Sequence, residues 1–239
     1  MKPRREHSKT TLVFLVDVDR TVLDDDRITN DLRRHLREEV GPAGEQRYWQ
    51  RLQRLHRRLG YADYLGALQD YRQSYPHDPH VLTLSSFLID YPFWKRLLPK
   101  AFQVIKHCRQ MGTVVILSDG DVVFQPHKIE RSGLAKAVRD RVLIYVHKEQ
   151  ELRHIRRCYP ADHYVLIDDN VRILETIKKA WGCRVTTVFP GHLEGGAAKE
   201  PARGRLPPDL SLRRLGDLLK MNAEALRALA SHRKSAGQG

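Results

Sequence analysis

The stretch LVFLVDVDRTVLDDD, residues 12–26, sets a short apolar run directly against a cluster of acids. Residues 12–16 have strand length, and an unbroken apolar run of that length fits a strand buried on both faces. Of the ten residues from Asp17 to Asp26, five are aspartate. The whole chain carries the opposite excess, a formal charge of +13. Acids gathered at one strand end in so basic a chain need a local reason.

Two later runs repeat the pattern. TVVILSDGD (113–121) ends its apolar part at Ser118 and Asp119, and HYVLIDDN (163–170) ends at Asp168 and Asp169. RVLIYVHKE (141–149) is a strand that ends just before Lys148, and CRVTTVF (183–189) is a fifth. Helical segments fall between them. Leu98, Phe102, Ile105 and Cys108 mark one helical face, stopped by Gly112, and residues 127–140, 149–158 and 171–181 supply the others, with Gly133 a break. Strands alternating with helices predict an α/β fold with a parallel sheet covered on both faces.

Residues 27–94 read differently. Trp49, Leu52, Leu55 and Leu59 form one helical stripe, and Leu65, Leu68 and Tyr71 another. Gly41-Pro42 with Gly44, and then Gly60, read as breaks between helices, and Tyr75-Pro76-His77-Asp78-Pro79 as a loop. The region is predicted to be a small helical insertion. The expected organisation is a core from 1–24 and 95–192, an insertion from 25–94, and a linker with a helical tail from 193–239. The tail's pattern runs through Leu212, Leu215 and Leu219.

Composition bounds the rest. No apolar run reaches the ~20 residues that span a bilayer, and the first run is too short and too acidic at its end for a secretory signal. Cys108, Cys158 and Cys183 have neither disulfide nor zinc spacing. A cytoplasmic chain is expected. The net charge favours anionic partners, whether phosphorylated metabolites or nucleic acid, and says nothing of fold.

In an open parallel sheet, ligands bind outside the carboxyl ends of the strands. Asp17, Asp19, Ser118, Lys148 and Asp169 are therefore expected to converge. Several carboxylates around one point repel unless a cation sits among them, and oxygen-only ligands suit Mg²⁺. Carboxylates, Mg²⁺, a lysine and a hydroxyl together suit a phosphoryl group. One carboxylate can attack phosphorus and another, two residues on, can serve as acid and then base. Singly each residue has a plainer reading: Asp119 is a turn residue, Ser118 a helix cap and Asp168-Asp169 a cap as readily as a ligand pair. Their joint occurrence at strand ends, in this order, is what chance does not supply.

That set resembles the haloacid dehalogenase superfamily of phosphohydrolases. The first motif, Asp-x-Asp-x-Thr, stands as Asp17-Val18-Asp19-Arg20-Thr21; Ser118 matches the second, Lys148 the third and Asp168-Asp169 the fourth. The resemblance covers roughly residues 11–190 and implies a Rossmann-like core with a helical cap inserted between the first two motifs. It also implies roles: Asp17 as nucleophile, Asp19 as acid/base with its backbone carbonyl on the metal, and Ser118 on the phosphate. Lys148 would tie nucleophile to phosphate, and Asp169, helped by Asp168, would complete the metal site with Asp17. Thr21, Arg20 and Asp119 fall at the substrate. Arg20 stands where many relatives have glycine and Asp119 where asparagine is frequent, and Lys128 rivals Lys148 as the motif-three lysine. The second acid, Asp19, favours the phosphatase branch, because an alkoxide leaving group needs a proton and a halide does not.

The expected activity is a Mg²⁺-dependent phosphomonoester hydrolase acting on a small phosphorylated metabolite. The alternatives are a phosphatase for nucleic-acid ends, supported only by charge, and a non-catalytic phosphate- or nucleic-acid-binding protein on the same fold. Arg47, Arg51, Arg54 and Arg58 form a basic stripe on the insertion, read either as a solvated face or as a second anion surface.

Overall fold

The computed structural model describes residues 11–191 and 206–231. The basic N-terminal segment and most of the expected linker lie outside them. The chain opens with β1 (Leu12–Val16), then α1 (Asp25–Leu59), α2 (Tyr64–Ser74), α3 (Val81–Asp90) and α4 (Ala101–Met111). It continues through β2 (Thr113–Asp119), α5 (Phe124–Arg131), α6 (Leu134–Ala137), β3 (Val142–Tyr145) and α7 (Leu152–Cys158). β4 (His163–Ile167), α8 (Val171–Trp181), β5 (Val185–Phe189), β6 (Leu210–Ser211) and α9 (Ala223–Ser231) complete it. The strands form one parallel sheet in the order β3-β2-β1-β4-β5-β6. This is the α/β, Rossmann-like architecture expected from the sequence.

β1 is central and every one of its residues is buried. Alternate residues serve opposite faces, as the two-residue period of a strand requires. Phe14 and Val16 belong to the core shared with α1 to α5 and α9, while Val13 and Leu15 pack with Ile155, Leu174, Ile177 and Trp181. The register pairs Val16 with both Ile116 and Ile167. Asp17 and Asp168 therefore lie side by side, one step past the carboxyl ends of β1 and β4, next to Leu117 of β2.

The expected break at Gly41 is present: its φ of 69° and ψ of 174° are non-helical and divide α1 into two helical segments across a kink. A Cβ there would meet nothing within 4 Å, so the requirement for glycine is conformational. Buried Glu45 closes the kink by pairing with Arg33 at 3.2 Å and Arg37 at 2.8 Å. The arginine stripe divides. Arg51 donates to Ser74 Oγ at 2.8 Å and, like Arg47, lies over the Tyr75 ring, so this pair clamps α1 to α2; Arg54 and Arg58 are exposed. The two connections to the insertion bind each other: the Asp24 N–H donates to the Arg96 carbonyl at 2.7 Å and the Leu98 N–H to that of Val22 at 2.9 Å.

Other differences are local. Phe102, expected in the core, is 44% exposed, and Val104 takes its place. β3 ends at Tyr145, three residues before Lys148, which sits in a short 3-10 turn. The next helix starts at Leu152 rather than Glu149, and α5 begins at Phe124. The tail is not purely helical: β6 adds a sixth strand beside β5. Among the described residues no helix is long and apolar enough to cross a membrane.

Candidate active site

Past Val16 the chain turns tightly. The Val18 carbonyl accepts the N–H groups of Thr21, Val22 and Leu23, and Arg20 adopts a left-handed φ of 58°. For a residue with a Cβ that conformation costs about 1 kcal/mol. The turn folds Thr21 back beneath Asp17, so that its hydroxyl donates to Asp17 Oδ2 at 3.1 Å. Thr21 Oγ1 in turn accepts the Asp169 N–H at 3.1 Å, which joins the first and fourth strand ends.

Lys148 is the hub. Its buried ammonium lies 2.6 Å from Asp17 Oδ1 and 2.7 Å from Asp168 Oδ2. Asp119 Oδ1 accepts the Lys148 backbone N–H at 2.7 Å, so Asp119 here positions the lysine. Burial alone would lower the Lys148 pKa, but Asp168, Asp17 and Asp119 outweigh it and hold the ammonium charged. Removing one partner from such a buried set typically costs ~3–5 kcal/mol, because the other charge is left uncompensated.

Asp17, Asp168 and Asp169 can bring one carboxylate oxygen each within 4.8 Å of the others. Burial pushes the Asp17 carboxyl well up; Lys148 opposes this, and Asp168, Asp19 and Asp169 add to it. Lys148, with Arg20 3.8 Å from Asp169 at the rim, sets two cations against three acids and leaves a net negative charge. An all-oxygen set with that excess fits a hard divalent cation of the Mg²⁺ kind.

Asp19 belongs to a second, adjoining group. Its Oδ1 takes the Lys128 ammonium at 2.7 Å and its Oδ2 the Gln125 amide at 3.1 Å. The same Gln125 nitrogen donates to Ser118 Oγ at 2.8 Å, tying the first and second motifs together. Lys128 also reaches Asp25, the first residue of α1, at 3.5 Å. Burial pushes the Asp25 carboxyl up to about 6 against the pull of Lys128, and likewise lifts Asp119 to about 6. The Asp19 side chain stays 33% exposed, open to the front of the site. Arg20, at the rim, lies 3.5 Å from Asp26 and 3.8 Å from Asp169.

The candidate site residues Asp17, Asp19, Arg20, Thr21, Ser118, Asp119, Lys148, Asp168 and Asp169 thus meet at one end of the sheet, and the arginine stripe of α1 does not join them. Lys148 and Lys128 are not rivals: the first holds Asp17 and Asp168, the second Asp19 and Asp25. Gln125 and Asp25 were not anticipated. Gln125 and Lys128 stand at i, i+3 and so share one face of α5. That spacing of two polar residues just after the second motif was the available signal.

No protein-family profile and no curated protein sequence matches the chain. Solved structures do. A crystal structure from Burkholderia xenovorans LB400, described as a haloacid dehalogenase-like hydrolase, is 51% identical, with a TM-score of 0.83 over 91% of this chain and 99% of that one. A haloacid dehalogenase-like hydrolase from Xanthomonas campestris shares the fold at 16% identity and a TM-score of 0.65, over 96% of each chain. The hydrolase YfnB from Bacillus subtilis, bound to magnesium, does so at 16% identity and a TM-score of 0.57, over 88% of this chain and 97% of that one. The strand-end acids, the buried lysine beside them and the likeness at 51% identity lead to one conclusion: the chain belongs to the haloacid dehalogenase-like hydrolases.

Proposed function

We propose that this hydrolase cleaves phosphomonoesters of small metabolites through a phosphorylated Asp17. The observation that carries the reading is Asp19, an acid two residues beyond the nucleophile and partly open to solvent. A halide leaves without a proton, so a dehalogenase has no use for it; an alkoxide does not.

The Lys148 and Thr21 contacts fix the Asp17 carboxylate. One of its oxygens attacks phosphorus while the ester oxygen departs with a proton from Asp19. Asp19, now a carboxylate, takes a proton from water as that water attacks the aspartyl-phosphate, releasing phosphate and restoring Asp17. Ser118 and the N–H groups near it are suited to bind the phosphoryl oxygens. Asp17, Asp168 and Asp169, with the Asp19 backbone carbonyl, would hold Mg²⁺, which when bound neutralises charge on the phosphoryl group. The magnesium bound by the Bacillus relative fits this assignment.

The helices from 25–94 would serve as the cap, closing over the site to exclude water. Their joint with the core fits this: Asp25 meets Lys128, and Gly60 lies against His147. A reducing cytoplasm suits the free Cys108, Cys158 and Cys183. The test is a panel of phosphorylated metabolites and 2-haloacids, assayed for phosphate and halide with Mg²⁺ and with chelator. Phosphate release that depends on Mg²⁺ and vanishes in Asp17→Asn is expected. Halide release without phosphate release would overturn the reading.

A further inference from the structure

A groove lined by cations lies at the far end of the sheet. α4, the start of β2 and the turn between α6 and β3 enclose about 510 Å³, within the ~300–1,000 Å³ range of small-ligand sites. Four cations line this groove, Lys106, Arg109, Arg139 and Arg141, and no carboxylate does. The groove of similar size between α2 and α3 holds Asp78 as well as Arg72. Arg109 donates to the Ala137 carbonyl at 3.1 Å and Arg141 to that of Val138 at 3.3 Å. Both guanidiniums are therefore anchored by neutral acceptors that leave their charge uncancelled. Arg139 and Asp140 both take a left-handed φ of 57° where the chain leaves α6, their N–H groups donating to the Lys136 and Ala135 carbonyls at 3.1 and 2.8 Å, and this turn sets Arg139 at the groove. Phe102 adds an exposed aromatic wall.

We propose that this groove binds a small ligand carrying a chain of two or more phosphates, such as a nucleoside di- or triphosphate. Four cations around one cavity exceed what a single phosphate needs, and the arginine fork matches phosphate oxygens. Phe102 is placed to stack on a base. The site is separate from the carboxylates: the seven residues of β2, at ~3.3 Å each, put about 20 Å between its two ends.

Calorimetry with sodium pyrophosphate and with adenosine triphosphate, in chelator so that neither is turned over, tests this. Wild-type protein and Asp17→Asn should bind alike. The double variant Lys106→Gln/Arg139→Gln, whose side chains are exposed, should bind at least about tenfold more weakly. Arg156→Gln/Arg157→Gln removes the same charge from α7 and should bind as wild type. Tighter binding of the nucleotide than of pyrophosphate, abolished by Phe102→Ala, would assign the aromatic wall to a base; equal binding would assign the site to the phosphate chain alone. No binding of either probe would overturn the proposal. So would equal losses in the two double variants, or binding of a single-stranded oligonucleotide only.

Discussion

Lys128 shows how a single buried side chain ties two parts of this molecule together. It is 2% exposed and lies between Asp19 of the core and Asp25 of the insertion. Asp25 is held up to about 6, chiefly by burial. A carboxyl raised in this way keeps its proton more firmly in the folded chain than in the unfolded one. Its stabilising contribution is full below the unfolded value near ~4 and is lost as pH rises through about 6. Asp25→Asn removes that dependence. Chemical unfolding at about pH 4 and about pH 7 should show the variant gaining on the wild type by on the order of 2 kcal/mol between them; an unchanged difference would mean that Asp25 does not titrate in that window. The strand-end acids were legible because each follows an unbroken apolar run, a local signal. The Asp25–Lys128 contact was not, because 103 residues separate the partners and only the closed fold brings them together.

Among the elements, the end of α1 packs closely against the loop before Lys148. Gly60 ends α1 with φ 88°, and a Cβ there would come within 2.3 Å of His147 Cε1. Gly60→Ala combines the left-handed penalty of about 1 kcal/mol with displacement of the His147 ring. His147 directly precedes Lys148, whose ammonium orients Asp17. Thermal unfolding should show the loss of stability, and turnover should fall with it. Normal turnover at temperatures where the variant is folded would uncouple His147 from the site. Gly60 was readable as a helix stop from its residue type alone. The Gly41-Pro42 pair was readable as a second break, and Gly41 is non-helical there; what was not readable is that Glu45 pairs back to Arg33 and Arg37 across the kink. That is a tertiary ion pair, and no local propensity reports it.

The whole molecule is closed by its C-terminal part. The Asp209 side chain is fully buried; it pairs with Lys178 at 2.8 Å and accepts the Thr187 N–H and hydroxyl, each at 2.9 Å. The Thr186 hydroxyl in turn donates to the Leu226 carbonyl at 2.6 Å, fastening α9. Asp209→Asn leaves the Lys178 charge buried without its anion and should cost ~3–5 kcal/mol in urea unfolding; a cost below ~1 kcal/mol would show that β6 does not close the sheet. Five of the six strands were legible as apolar runs. β6 was not, since its two residues are too short to show a period and what places them is Asp209. The central claim spans the same scale, for it requires acids from separate strand ends to act on one phosphorus. Its most direct test is Asp19→Asn mixed with an aryl phosphate and Mg²⁺, quenched in acid and weighed intact. An aryl leaving group needs little protonation, so the first step should proceed while the second stalls. A burst of aryl alcohol and a phosphorylated Asp17, both missing from Asp17→Asn, are the expected result. Slow steady turnover with neither burst nor adduct would contradict the account.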